Sequence, residues 1–385
     1  MPFCFHKCHY CDFYSIVDGP ADDARTHRPA REAAFVDRLI AELKTRAAKV
    51  DLRPRTVFVG GGTPTLLAAD LWRELLRELE QLGVRERLVE WTVEANPETV
   101  TPELADVLVQ GGVNRVSLGA QSFQPALLKT LERWHAPANV ARAVQVLHSA
   151  GIANCNLDLI FAIPGQTPRM LDDDIDAALA LSPEHLSCYS LIFEPNTALH
   201  QRQQLGKIAP VDEDLETAMY EQVIDRLGSA GFEHYEVSNW ARWPQDQLDR
   251  SADVTSPRRC LHNELYWRNE NWLGVGPAVA SHINGHRWKN EAHLGRYLAH
   301  QGEPPTTDHE CLSPQRSVGE QLMLRLRLRE GVEIAWLQQH VPEHDARHAE
   351  IASLIDQGFV ERTATHVRMK QKGLFVADAI LARLL

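Results

Sequence analysis

The chain has 385 residues, 44% hydrophobic and 24% charged, which suits a soluble globular protein large enough for two structural units. A formal charge of -12 argues against broad attraction to nucleic acid. No apolar run approaches the roughly 18 residues that span a bilayer, and no charged start leads into an export-type apolar core. The expectation is a cytoplasmic protein without nucleic-acid partners, whose seven cysteines are too irregularly spaced for a disulfide framework.

Three of those cysteines crowd the opening stretch, MPFCFHKCHYC. Cys4-x3-Cys8-x2-Cys11 places three soft ligands in one short loop, which suits a thiophilic metal centre better than magnesium or calcium. Spacing alone leaves zinc and iron–sulfur open. Cys8-x2-Cys11 is a zinc-like pair that His6 or His9 could help complete, but a zinc knuckle usually brings a second pair, and no later CxxC follows. Three ligands on a four-iron cubane leave one iron open for chemistry.

Short apolar runs then alternate with segments of helical period. Strands are expected at 56–60 (TVFVG), 89–95 (VEWTVEA), 115–120 (RVSLGA), 156–163 (NLDLIFAI) and 185–193 (HLSCYSLIF). Helices are expected at 31–49, 71–82, 102–110, 137–150, 168–181 and 213–230, with start signals at Thr101, Pro102 and Asp212. Strand then helix, repeated, implies a parallel α/β sheet whose chemistry sits at the C-terminal ends of its strands.

Polar and glycine residues fall where those strands should end. Gly60-Gly61-Gly62-Thr63-Pro64-Thr65 could be a tight turn or a loop that lets a ligand approach the backbone. Glu94 and Asn96-Pro97 end the second run, Gln121-Ser122 the third, and Asp158 lies within the fourth. Buried polar groups in apolar strands need partners, and together these suggest the floor of one site.

The second half is less regular. Residues 244–257 (PQDQLDRSADVTSP) are polar and aperiodic, as a surface loop would be. Then come Cys260-Leu261-His262-Asn263-Glu264-Leu265-Tyr266-Trp267 and Trp272-Leu273-Gly274-Val275-Gly276-Pro277. An imidazole can ligate haem iron and aromatic faces can meet a macrocycle, although a histidine beside two aromatics is more often simply packed. Cys155, Cys188 and Cys260 read as core residues, Cys260 also as an alternative soft ligand, and Cys311 carries no signal. Helical segments around 320–328 and 351–358 precede short apolar runs at 359–360 and 367–369. They suggest a winged-helix-like tail that covers the site or meets partners, and not one for DNA.

Cys4, Cys8 and Cys11, with Tyr10 before the last, resemble the CxxxCxxC signature of radical S-adenosylmethionine enzymes. That family holds a [4Fe-4S] cluster on three cysteines, with the cosubstrate on the fourth iron, in a partial (β/α)6 barrel. The resemblance implies that Gly61, Gly62 and Thr63 meet the methionyl amino end of S-adenosylmethionine. It likewise implies that Glu94 lies near the ribose or amino group, and that Gln121, Arg133 and Asp158 line the rest.

VFVGGGTPTLL, VEANPETVT, NRVSLGAQSF, NLDLIFAIPGQT and YEVSNWAR resemble, over nearly the whole chain, the HemW branch of the oxygen-independent coproporphyrinogen oxidase group. His262 begins a match to that branch's HNxxYW motif, which implies haem as a ligand and transfer to an acceptor protein, membrane-associated or not. His282 or His286 could meet a propionate. The alternative is the oxidase itself, a radical decarboxylase. Its signature continues CxxxCxxCxC, where Phe13 stands here. The division implied is 1–240 for the cofactor barrel and 241–385 for a C-terminal domain. One departure is that Met1-Pro2-Phe3 leads almost directly into Cys4. The family's first strand is thus expected to be truncated, or the natural start to lie upstream.

Overall fold

The computed structural model describes residues 1–17, 21–244 and 255–385. Most of the polar stretch 244–257, namely 245–254, lies outside the described residues.

The expected strands form as β3 (Thr56–Val59), β4 (Glu90–Ala95), β5 (Arg115–Gln121), β6 (Asn154–Phe161) and β7 (His185–Ser190), after two-residue strands β1 (Phe3–Cys4) and β2 (Ile16–Val17) that pair parallel. The five longer strands are parallel and adjacent in chain order. Helices cross over between them, starting as local chemistry dictates. Thr101 Oγ1 accepts the Leu104 N–H at 3.2 Å with Pro102 in the first helical position, and left-handed Gly112 (φ 97°) ends that helix. Asp212 caps the helix Glu213–Ser229 in the same way.

Past β7 the sheet departs from a purely parallel barrel. β8 (Phe232–Glu236) and β9 (Asn239–Arg242) form an antiparallel hairpin, with β9 against β7, giving the order β3-β4-β5-β6-β7-β9-β8. The expected helix Glu213–Ser229 still returns the chain to β8 in the parallel sense, but the two-residue turn after β8 reverses it, so β9 enters between β7 and β8, antiparallel to both.

The start of the chain is laid along the glycine run. Met1 N donates to Gly60 O at 2.8 Å, Gly62 N to Met1 O at 2.6 Å and Thr63 N to Phe3 O at 2.7 Å. Phe3 is buried edge-on to Phe35, so the cysteine loop is anchored by an apolar residue beside its first ligand.

Beyond the barrel, the antiparallel sheet β10 (Ala280–Ile283), β11 (His286–Asn290) and β12 (Thr306–Cys311) packs on the first long helix, Ala21–Ala47. The joint is polar and fully buried. Glu42 accepts from Asn290 Nδ2 (2.9 Å), Gly276 N (3.1 Å), Tyr297 Oη (2.7 Å) and Arg46 Nη2 (3.3 Å). The tail has the expected helices, Pro314–Arg325 and Ala346–Asp356, and the expected hairpin, β14 (Val360–Arg362) with β15 (His366–Met369). β13 (Val332–Glu333) adds a third strand to it. Apolar packing runs on from barrel to tail, with the Tyr220 and Phe375 rings 5.5 Å apart. Among the described residues no helix is long and apolar enough to cross a membrane.

Candidate functional site

Parallel strands point all their C-terminal ends to one side, and there the Cys4–Cys11 loop closes over a cavity of about 370 Å³. Cys4, Cys8 and Cys11 are partly buried free thiols on its wall. The loop is held by backbone: Cys11 N to Cys8 O (3.2 Å), His9 N to Leu131 O (3.3 Å) and Leu199 N to His9 O (2.8 Å). Two thiols receive donors, Cys4 from Thr63 Oγ1 and Cys8 from Arg133 Nη1, each at 3.5 Å. Arg133 is fixed by its other nitrogen on Gly119 O at 2.9 Å.

The glycine run is there for close approach. A Cβ on Gly60 would stand 2.7 Å from Glu94 Oε2, and one on Gly62 would stand 2.6 Å from Phe3 O. The N–H groups of Gly61, Gly62 and Thr63 are all used within the protein, Gly61 on Glu94 Oε2 at 3.0 Å. Burial pushes the Glu94 carboxyl up to about 7, and Asp158 adds to the rise. Burial also raises the Asp158 carboxyl, although Asn156 Nδ2 (2.7 Å) and Ser117 Oγ (3.2 Å) donate to it. Gln121 reaches the cavity from an irregularity between β5 and β6, at φ 64°. The structure thus brings together, around one cavity, Cys4, Cys8, Cys11, Gly61, Gly62, Thr63, Glu94, Gln121, Arg133 and Asp158.

His262 is elsewhere. It lies on the helix Leu261–Trp267, which packs beneath the opposite, N-terminal ends of the strands. Its Nδ1 is 2.8 Å from Thr56 Oγ1, its Nε2 is 3.1 Å from Tyr266 Oη, and its ring stacks on Phe58 with centroids 5.1 Å apart. Burial, with nearby Arg115, lowers its pKa to about 4, which keeps the imidazole neutral and able to ligate metal. Tyr266 and Trp272 meet edge to face at 4.8 Å, continuing an aromatic surface outward from His262. Phe58, Cys260 and Asn263 line the cavity from within, so one thin wall separates the cysteine chamber from the histidine.

That wall holds the residues sequence reasoning missed. Thr56, Glu90 and Arg115 are the first residues of β3, β4 and β5. Glu90 accepts from Cys260 Sγ (3.5 Å), Leu261 N (3.0 Å) and His262 N (3.0 Å). Register places Ser117 beside Asn156, and Asn156 beside His185. A buried chain results: His185 Nδ1 to Asn156 Oδ1 (2.7 Å), His185 Nε2 to Tyr235 Oη (2.9 Å), and Cys260 N to Tyr235 Oη (3.2 Å). The available signal was polar residues at the starts of apolar runs, where attention to strand ends looked the wrong way.

Cys260, Cys155 and Cys188 are buried core thiols, as read from the sequence. His282 is buried against Trp272 and bonds Glu270 O at 3.1 Å, and His286 neighbours exposed Cys311, so neither borders the cavity.

Residues 1–178 match the radical SAM superfamily, and residues 312–376 match the HemN C-terminal domain. Over 388 residues the chain is 33% identical to heme chaperone HemW of Lactococcus lactis, covering 100% of this chain and 96% of that protein. It is 34% identical to heme chaperone HemW of Mycobacterium tuberculosis, covering 100% and 93%, and 31% identical to that of Escherichia coli, covering 99% and 95%. The Escherichia coli coproporphyrinogen III oxidase HemN superposes with a TM-score of 0.79 at 19% identity, covering 100% of this chain and 88% of that one, which shows a common fold. With full-length identity at this level, the chain belongs to the HemW family, within the radical S-adenosylmethionine superfamily that pairs a [4Fe-4S] cluster with S-adenosylmethionine.

Proposed function

We propose that this protein binds haem at His262 and hands it to an acceptor protein, with a [4Fe-4S] cluster and S-adenosylmethionine held in the barrel cavity. The observation that carries the reading is the setting of His262 in a chain that matches heme chaperones end to end. Its backbone is tied to Glu90, its Nδ1 faces Thr56, and its Nε2 faces the half-exposed Tyr266, whose hydroxyl must swing aside for iron to be reached. A histidine whose second nitrogen is held in this way presents the other in a defined tautomer and direction.

Cys4, Cys8 and Cys11 suit the cluster. They are thiols around one cavity, and among the described residues no three Cys, His, Asp or Glu side chains gather closely enough to hold a single ion. Three thiols with no fourth protein ligand beside them among the described residues suit a four-iron cluster that keeps one iron open better than a closed four-ligand zinc knuckle. Gly61, Gly62, Thr63, Glu94, Gln121, Arg133 and Asp158 would hold the cosubstrate. When bound, the two supply one-electron chemistry that side chains lack. The protein's own share is to fix the thiols, shield them from water and place Arg133 against Cys8. We assign 1–240 to this barrel and 241–385 to haem handling, in the reducing cytoplasm that keeps such free thiols unpaired. The acceptor is an apoprotein that needs haem, in solution or at a membrane.

The oxidase reading loses support at Phe13, which is 58% exposed where the oxidase signature has its fourth cysteine. Titrating reconstituted wild-type and His262→Ala protein with haem, and following the Soret band, tests the chaperone reading. A saturating one-to-one shift that weakens at least tenfold in the variant is expected. Wild type with an intact cluster and no haem binding overturns it, and vinyl-bearing product from anaerobic turnover of coproporphyrinogen would install the oxidase in its place.

A further inference from the structure

Arg115 is 2% exposed, lines the cavity, and donates no hydrogen bond to any described residue. Its Nε is buried without an acceptor, and no carboxylate comes within 4.0 Å of its nitrogens among the described residues. A guanidinium this buried with no protein acceptor is costly, and proteins ordinarily pair such a charge. The nearest acids are already committed. Glu90 takes three donors from the helix Leu261–Trp267, and Asp158 takes Asn156 and Ser117. Asn263, on that helix, lines the same cavity, and its side-chain amide likewise makes no hydrogen bond to a described residue.

We infer that Arg115 and Asn263 form a carboxylate-binding subsite at the inner end of the cavity, away from the cysteines. A guanidinium fork matches a carboxylate with two parallel hydrogen bonds, and an amide can add a third. Glu90 and Asp158 sit close enough to act on Arg115 through space, which disfavours a dianion such as phosphate and favours a single negative charge. The carboxylate has two possible sources. It is either a haem propionate, reaching past Asn263 from the neighbouring His262, or a free small acid. The first rests on the haem reading above, and the second does not.

The test uses the full-length reconstituted protein as wild type, Arg115→Met and Asn263→Ala. Haem and haem dimethyl ester, whose propionates are blocked, are titrated by Soret absorbance, and acetate binding is followed separately by thermal shift and by line broadening of 13C-acetate. If a propionate fills the subsite, wild type prefers haem over the ester by about tenfold or more, and both variants lose the preference while still binding the ester. If a free acid fills it, the ester binds as well as haem, and acetate saturably stabilises wild type but neither variant. Equal binding of haem and ester together with no saturable acetate effect overturns the subsite. Should neither tetrapyrrole bind at all, the haem reading fails, and the acetate arm still decides the subsite. Asn263 is partly exposed, so its variant decides the matter if Arg115→Met does not fold.

Discussion

The Glu90 carboxylate caps the helix that carries His262, accepting the His262 N–H at 3.0 Å on Oε1 and the Leu261 N–H at 3.0 Å on Oε2. A residue at the first position of a central strand therefore sets where the histidine stands. Glu90→Ala strands those donors under a buried helix start, which should cost about 2 kcal/mol of stability. It should also weaken haem binding, while Glu90→Gln retains one acceptor and loses less. Urea unfolding and Soret titration of the same preparations check this. Lower stability with unchanged haem affinity would mean that the cap does not position His262.

Thr56 is the only described partner of His262 Nδ1. Thr56→Val keeps the shape of the side chain and removes the hydroxyl, so the ring loses the contact that fixes its tautomer. Haem affinity should fall several-fold, and Thr56→Ser should restore it. Stability should change by about 1 kcal/mol, as for one hydrogen bond.

Cluster loading depends on the loop and on the backbone beneath it. Cys4→Ala, Cys8→Ala or Cys11→Ala should each remove most of the iron and acid-labile sulfide from anaerobically reconstituted protein. Cys311→Ala, at an exposed thiol on β12, should not. Gly62→Ala leaves all three cysteines in place, yet its new Cβ would press on Phe3 O at 2.6 Å and displace the strand entering Cys4. Its iron content should fall with the cysteine variants. Normal loading in Gly62→Ala would show that the loop does not need that seat.

How far the sequence reveals all this depends on distance along the chain. The five parallel strands were legible because each apolar run is local, and Thr101 and Asp212 announce their helices by side-chain chemistry that acts within three residues. The cysteine chamber was legible in its ligands and its strand-end polar groups. The hairpin β8–β9 was not, because no glycine marks its turn, and its stability comes from Glu236 accepting from Ser238 N and Asn239. Least visible was the separation of His262 from the cysteines. Thr56 and Glu90 stand side by side, with Arg115 beside Thr92 on the next strand, only because parallel pairing brings together strand starts that lie tens of residues apart.

Glu236 also gives the fold a pH dependence. Burial pushes its carboxyl up to about 7, against the hydrogen bonds from Asn239 and Ser238 and the pull of Arg327 that favour its charge. The folded state thus holds a proton that the unfolded chain releases near its ordinary value. The contribution is complete below that value and is lost as pH climbs towards about 7. Glu236→Gln keeps the neutral shape and removes the titration. Between pH 5 and 8 wild type should therefore lose on the order of 2 to 3 kcal/mol more stability than the variant. Urea midpoints at both pH values test it, and parallel losses in the two proteins would assign the protonated form to some other group.

Glu42 makes the sharpest demand on the architecture. Its fully buried carboxylate collects donors from Arg46, Gly276, Asn290 and Tyr297, and so joins the first long helix to the loop before β10, to β11 and to the helix Leu294–Ala299. Glu42→Ala would leave Arg46 facing Asn290 (3.2 Å) and the more distant Glu303 (3.5 Å), with two other donors orphaned. Breaking a buried charge cluster by removing one partner costs about 3 to 5 kcal/mol. Outside Glu42 the segment is tied to the rest by Arg38, which donates to Tyr297 O (3.1 Å) and Gly302 O (2.6 Å), and by Arg287 on Glu320, so losing the Glu42 joint should appear as local opening of 276–311 ahead of global unfolding. Hydrogen exchange should speed there by at least a hundredfold while β4–β6 stay protected. Uniform acceleration through β4–β6 would instead make Glu42 part of a single cooperative unit, with the barrel and the C-terminal sheet unfolding together.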